Sequence, residues 1–194
     1  MIKRGVLTGG MIMVYKILRN INRATIFFVL VLAFDLTVFL MSHDGYYSSF
    51  VVETNYIFPV LLNLVAFFVL AQRYKIRKLF VIFITIPAVL IVALLAATGD
   101  SYGTISSPAK NVTVTIEHRN ATLGETNYFY DFYVHVPSLY PGLMRKTNKD
   151  TVRIMIRNAE GEDDLDVLGV SNAEWKDNKI IFHPAYEKAI EVDL

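Results

Sequence analysis

The residue with the most to explain in this chain is a single carboxylate. Asp35 lies inside an otherwise apolar run, Ala24 to Ser42. An ionised carboxylate at the centre of a membrane-crossing helix costs about 2.5–3.5 kcal/mol on insertion scales, so such residues usually face a protein interior. Two neighbouring apolar runs are interrupted without charge, by Asn63 and by Pro87. At about 1.5 Å per residue, Asp35 lies about 16 Å from the inner end of its run. Asn63, on a run of opposite direction, lies about 13 Å from the outer end. In a hydrocarbon core of about 30 Å these depths nearly coincide. Pro87 is also near mid-depth and frees a backbone carbonyl one turn earlier. These three residues are the candidate intramembrane polar contact, holding helices together or meeting a partner protein's helix. The sharper alternative makes Asp35 part of a proton or ion path. One carboxylate and one amide are few for that, and three spans fall short of the repeated architecture of transporters.

Outside the apolar runs the chemistry is sparse. His43, His118, His135 and His183 show no ligand spacing such as HxH or HxxxH, so no metal site is expected. The acidic run Glu160, Glu162, Asp163, Asp164, Asp166 lacks the alternating oxygen order and glycine of a calcium loop and reads as a solvated turn. Ser101, Ser106 and Ser107 have no nucleophile-elbow glycines around them. The absence of cysteine excludes a disulfide framework, a thiolate zinc site, an iron–sulfur cluster and a cysteine nucleophile. No glycine-rich phosphate loop is present, and the basic residues flank apolar runs rather than forming a nucleic-acid face. The expectation is a protein without catalytic residues or cofactor, and no enzyme. Two sequons, Asn111-Val-Thr and Asn120-Ala-Thr, carry weight only in a eukaryotic source.

The elements that must position these residues follow from hydropathy. Of 194 residues 54% are hydrophobic and 19% charged, against about 25% charged in a usual soluble domain. The excess sits between residues 24 and 99. Three stretches approach the roughly 20 apolar residues that a span requires, 24–42, 54–72 and 79–99. Five basic residues (Lys3, Arg4, Lys16, Arg19, Arg23) precede the first, and four (Arg73, Lys75, Arg77, Lys78) join the second to the third. The loop between the first two carries only Asp44 and Glu53 as charges. The positive-inside rule then puts the N-terminus in the cytoplasm and the C-terminal region outside a cell membrane crossed several times. Asp35 and the lack of a small-x-small cleavage site argue that the first span is retained rather than a signal peptide. Residues 1–23 form a basic segment in which Val14, Ile17, Leu18 and Ile21 repeat at helical spacing, suiting a short helix on the inner leaflet.

From residue 100 the composition changes, with 10 Lys and Arg against 15 Asp and Glu. Residues 100–110, with Ser, Gly and Pro and no periodicity, read as a linker. Beyond it the period is two. Val112, Val114 and Ile116 alternate with Thr113, Thr115 and Glu117. Tyr128, Tyr130, Phe132, Val134 and Val136 alternate with Asn127, Asp131 and His135. Turn residues between 120 and 125 make these a hairpin. Further strands are expected at 152–156, at 167–170, at 179–183 and at 189–192. The fold class is three transmembrane α-helices followed by a small extracytoplasmic all-β domain, 111–194, an antiparallel sandwich or open barrel. Ninety residues is small for such a domain, so the membrane anchor, the 43–53 loop or a partner is expected to cover part of it. Phe129 and Tyr133 fall on the face opposite the apolar stripe, and with Trp175 they are the candidate binding surface.

Together these readings describe a non-enzymatic membrane protein. Its external domain would bind a protein, a peptide or an envelope component. Its spans, embedded in the lipid bilayer, would associate with a membrane partner or with further copies of the chain. Accessory subunit, signalling modulator and immunity-type protein all fit. The alternative is a small oligomeric transport or channel component using Asp35.

Overall fold

The computed structural model of the protein describes residues 22–109, 111–123, 125–138, 140–157, 162–176 and 178–194. All but the last two residues of the basic segment 1–23 thus lie outside the described residues. The first helix, α1 (Arg23–His43), starts where Asn22 accepts the Ala24 N–H at 3.1 Å as an N-cap. A strand β1 (Tyr46–Ser48) and one helical turn α2 (Ser49–Glu53) follow, then α3 (Ile57–Arg73) and α4 (Lys78–Thr98). Two helices, α1 and α4, are long and apolar enough to cross a membrane by length and composition, and α3 is a shorter apolar helix. At 1.5 Å per residue they measure about 32 Å, 32 Å and 26 Å.

The second apolar run does not become helical at Thr54 as its hydropathy suggests. Asn55 (φ 50°) and Tyr56 (φ 59°) are left-handed, and α3 begins only at Ile57. Asn tolerates that conformation better than most residues, and here its side chain is held from outside the turn, as described below.

The chain divides into two compact units, and it passes between them three times. The helical unit contains residues up to Thr37 and Pro59–Val92. The small residues Ala66 and Ala71 on α3 and Val31 on α1 are buried there, while α4 buries no residue completely. Small side chains at such contacts let helix backbones approach closely.

The second unit comprises Val38–Phe58 and Ala93–Leu194. Its strands are β2 (Ser101–Ser106), β3 (Thr113–Leu123), β4 (Glu125–His135), β5 (Leu143–Lys146), β6 (Val152–Arg157), β7 (Glu174–Lys176), β8 (Lys179–Phe182) and β9 (Ile190–Asp193). Every pairing is antiparallel. One sheet runs β1-β5-β4-β3-β2, with β6 pairing the other half of β4, and a second runs β7-β8-β9. The expected 111–136 hairpin is present, extended to a Leu123–Glu125 pair through most of its expected turn. Its apolar face (Val114, Ile116, Tyr128, Tyr130, Phe132) packs with Ile154 and Ile156 of β6, Ile180 and Phe182 of β8 and Val192 of β9. Phe132 and Phe182 stack with centroids 5.3 Å apart. Burying each such side chain stabilises by about 1.5–3 kcal/mol.

Three expectations are corrected here. Residues 100–110 are not a linker, because β2 pairs with β3 over its full length, Ser101–His118 through Ser106–Thr113. Its mixed Ser, Gly and Thr content hid a strand whose stability comes from backbone pairing to a neighbour. Residues 167–170 are not a strand. Asp164–Leu168 form a helical turn, α5, and Val170–Asn172 a 3₁₀ turn. The reason is local chemistry: Asp163 caps by accepting the Leu165 N–H at 2.9 Å, and Gly169 (φ 79°) closes the turn by donating to the Asp166 and Leu165 carbonyls. Finally, the β-domain is not confined to 111–194. The 44–56 loop supplies β1, paired to β5 from Tyr46–Arg145 to Ser48–Leu143, and α2, whose Val51 and Val52 are buried. Strands β1, β5 and β7 carry too few residues for alternation to show.

A clip fastens this loop to the chain leaving α4. The Asn55 side chain donates to the Asp100 carbonyl (3.1 Å) and accepts from the Asp100 N–H (3.0 Å) and the Tyr102 hydroxyl (3.1 Å). The approach needs glycine at 99, where a Cβ would lie 2.4 Å from Asn55 Nδ2 and 2.7 Å from the Leu95 carbonyl. Gly99→Ala is therefore expected to cost about 1–3 kcal/mol, read as a lower thermal midpoint of the purified full-length protein. An unchanged midpoint would show that the clip contributes little.

Candidate functional site

Two polar constellations emerge, one in each unit. In the helical unit, Asn63 Nδ2 donates to Asp35 Oδ2 at 2.7 Å and also to the Pro59 carbonyl at 3.0 Å. Asp35 and Asn63, singled out from the two apolar runs, are thus in direct side-chain contact. Pro87 lies on an exposed position of α4 and is not part of it. The amide is bonded both to its own helix and to the carboxylate, so this is a helix-packing contact with little donor capacity left. Replacing Asp35 by Leu removes the acceptor of a half-buried amide, whereas Asn retains one. Asp35→Leu is expected to lower the thermal midpoint of the detergent-purified protein by several degrees, a cost of about 1–2 kcal/mol, with Asp35→Asn near wild type. Equal behaviour of the two variants would remove the packing role.

The second constellation sits on the outer face of the β3–β4 hairpin, opposite the main core. Register builds it row by row. In the first row Arg119 (β3), Phe129 (β4) and Arg153 (β6) are direct cross-strand neighbours. The two guanidinium carbons stand 5.3 Å and 6.0 Å from the Phe129 ring centroid, a cation–π arrangement. Asn127 Oδ1 accepts from Arg153 Nε (2.9 Å) and Nη2 (2.6 Å). In the next row Tyr102 (β2), Glu117 (β3) and Asp131 (β4) are neighbours. Two carboxylates directly opposite repel, and the structure answers by loading one of them. Asp131 accepts from Lys146 (3.0 Å), Asn148 (2.8 Å) and Thr151 (3.1 Å).

Glu117 gets less help. Its Oε2 accepts the Tyr133 hydroxyl at 2.5 Å. Burial pushes its carboxyl from the ordinary 4.5 up to about 7. The Tyr133 hydrogen bond opposes that rise, while a hydrogen bond to Asp100 and repulsion from Asp100 and Asp131 add to it. Asp100 Oδ1 is buried without a hydrogen-bond partner, with Arg119 Nε 3.6 Å away. Around these groups lies a depression of about 90 Å³, walled by Asp100, Glu117, Arg119, Phe129, Asp131 and Thr151.

Of the three candidate surface aromatics, Phe129 lines this depression, half-buried between two arginines. Tyr133 does not. It is 5% exposed, packs with Val52 and Met144, and meets Tyr47 edge-on at 5.3 Å. The 44–56 loop covers it, which alternation within the hairpin does not reveal. Trp175 is half-buried and packs against the main core. Glu117 and Asp100 were missed because alternation put Glu117 on a solvent face and Asp100 in a linker. The available signal was two large aromatics on that nominally polar face.

The histidines do not converge. His118 Nδ1 meets Asp164 Oδ2 at 2.9 Å, His135 Nε2 meets Thr115 Oγ1 at 2.8 Å, and His183 Nε2 lies 3.3 Å from Glu174. Within the acidic run, Asp163 caps α5 and Asp164 holds His118 and Asn120 (2.8 Å). Among the described residues no group of three or more His, Cys, Asp or Glu is arranged to hold a metal ion. Comparison of the chain with family models, with curated proteins and with solved structures finds no match.

The raised carboxyl has a thermodynamic consequence. Between pH 4.5 and about 7 the unfolded chain has released a proton that folded Glu117 still holds. Stability contributed by this group is full at the acid end, declines as pH rises through that window, and is flat above it. Denaturant or thermal melts from pH 4.5 to 8.5 are expected to show this slope. Glu117→Gln is expected to abolish it and to be more stable than wild type at pH 8.

Proposed function

We propose that this is an integral membrane protein with three spans, α1, α3 and α4, that carries a β-domain on the extracytoplasmic side and acts by binding rather than catalysis. One observation carries the reading: β1, from the loop between α1 and α3, pairs with β5, which follows α4. Segments of one sheet lie on one side of a membrane. Hence α3 and α4 either both cross or neither does, and the length of α4 with its outward apolar side chains, such as Leu79 (80% exposed) and Phe83 (75% exposed), favours crossing. Seventeen residues is at the short end of the range for a span, within what tilt-free packing and local thinning accommodate. The basic residues before α1 and between α3 and α4, with none between α1 and α3, support a cytoplasmic N-terminus.

On this reading the domain binds a protein, peptide or envelope component through the Arg119–Phe129–Arg153 row and the depression beside it. Exposed aromatic and arginine side chains suit such a surface. The Asp35–Asn63 contact supports a helix-packing role, and the spans associate with a membrane partner or with further copies of the chain.

The chain has no cysteine, so single cysteines report topology cleanly. Asp44→Cys and Lys188→Cys are expected to react with an impermeant maleimide on intact cells, and Lys75→Cys only after permeabilisation. Labelling of Lys75→Cys from outside, or unlike behaviour of the other two, would overturn the three-span reading. For the binding role, a crosslinked pull-down from native membranes is expected to bring down a specific partner with wild type and to lose it in an Arg119→Ala/Phe129→Ala variant. Recovery of the same partner by both would exclude this surface.

A further inference from the structure

Glu117 stands where three chain segments meet, and its surroundings suggest more than a misplaced charge. Directly across from it on β2 is Tyr102, whose hydroxyl donates to Asn55. Asp100, one residue before β2, is bonded to Asn55 through both its N–H and its carbonyl. Tyr133, the donor to Glu117, is the residue on which the 44–56 loop packs through Val52. The same carboxyl therefore touches or faces both halves of the clip that joins the turn entering α3 to the residues leaving α4. All of these contacts lie within the β-domain unit.

We propose that Glu117 is a proton-operated latch on the Asn55–Asp100 clip. With a proton, the carboxyl bridges Tyr133 and Asp100 as acceptor and donor at once, and the buried Asp100 Oδ1 gains its missing partner. Without it, two carboxylates face each other across a half-buried gap, with Asp131 behind them. The remaining neighbours do not restore the balance. Arg119 reaches Asp100 only at 3.6 Å and is 59% exposed, and Lys146 is already committed to Asp131. Tyr56, from the loop, and Tyr102 are pushed upward by burial, so both stay neutral and add no charge. His135, also on this face, is bonded to Thr115. Loss of the proton then favours withdrawal of Asp100, and with it loss of the two backbone bonds that hold Asn55.

The latch has a direct reporter, because the Asp100 amide proton is donated to Asn55. Amide hydrogen exchange of the full-length protein in detergent micelles, corrected for intrinsic rates, is expected to show Asp100 protection falling at least about tenfold from pH 6 to pH 8. Ile116 in the core is expected to stay more protected than Asp100 at both pH values, because Asp100 opens with the clip and Ile116 only with the whole domain. In Glu117→Gln the Asp100 protection is expected to be constant and high. Tyr133→Phe removes the hydrogen bond that favours the charged carboxyl, so the midpoint should move upward by roughly one pH unit, an effect that a merely structural role would not produce. It also keeps the test open should Glu117→Gln fail to fold. Three results would overturn the proposal: Asp100 protection independent of pH, a pH dependence retained in Glu117→Gln, or Asp100 protection equal to that of Ile116 at both pH values, which would make its opening global.

Discussion

Both faces of the β3–β4 hairpin are covered, and much else in the β-domain follows from that constraint. A small sheet normally gives one face to a core and one to water. Here the first face receives α5 and the three-stranded sheet, and the second receives the 44–56 loop. Thr115 is 0% exposed and Tyr133 is 5% exposed although both point away from the main core. Polar side chains placed for solvent by their position in the strand have lost much of it, so each must find a partner. Asp131 finds three, Thr115 finds His135 and Asp100 finds Arg119 at a distance. Glu117 is left to a tyrosine and a neighbouring acid, which is why a proton becomes its cheapest company.

The covering loop is also held to the residues that follow α4. Three chain connections run between the two units, and two of them meet at Asn55 and Asp100. A clip made of one asparagine side chain and one backbone residue is geometrically exacting. It asks for a left-handed Asn55 and for a glycine at 99, where any Cβ meets the amide. The Arg119 guanidinium is shared between the Phe129 ring and the Asp100 carboxylate, so a ligand bound as proposed at the Arg119–Phe129–Arg153 row would alter the field at Asp100 and by linkage be coupled to the proposed proton.

The polar contact between helices obeys a different economy. Asp35 and Asn63 stand among apolar side chains, where Asn63 bonds both its own helix at Pro59 and the Asp35 carboxylate, which limits how α1 and α3 can slide past one another.

Much of this was legible in the amino-acid order. Three apolar runs, the singling out of Asp35 and Asn63, the main hairpin and its buried face, and the strands at 152–156, 179–183 and 189–192 all follow from local pattern. Each depends on what a residue is and where its side chain must point at a period of 3.6 or 2. Tertiary structure decided what local pattern does not carry. Short strands such as Tyr46–Ser48 and Leu143–Lys146 exist because a partner strand completes their hydrogen bonds, and β2 is a strand because β3 lies beside it. The fate of Glu117 shows the same division. Alternation sets its face correctly, but whether that face meets water depends on a loop more than sixty residues earlier in the chain.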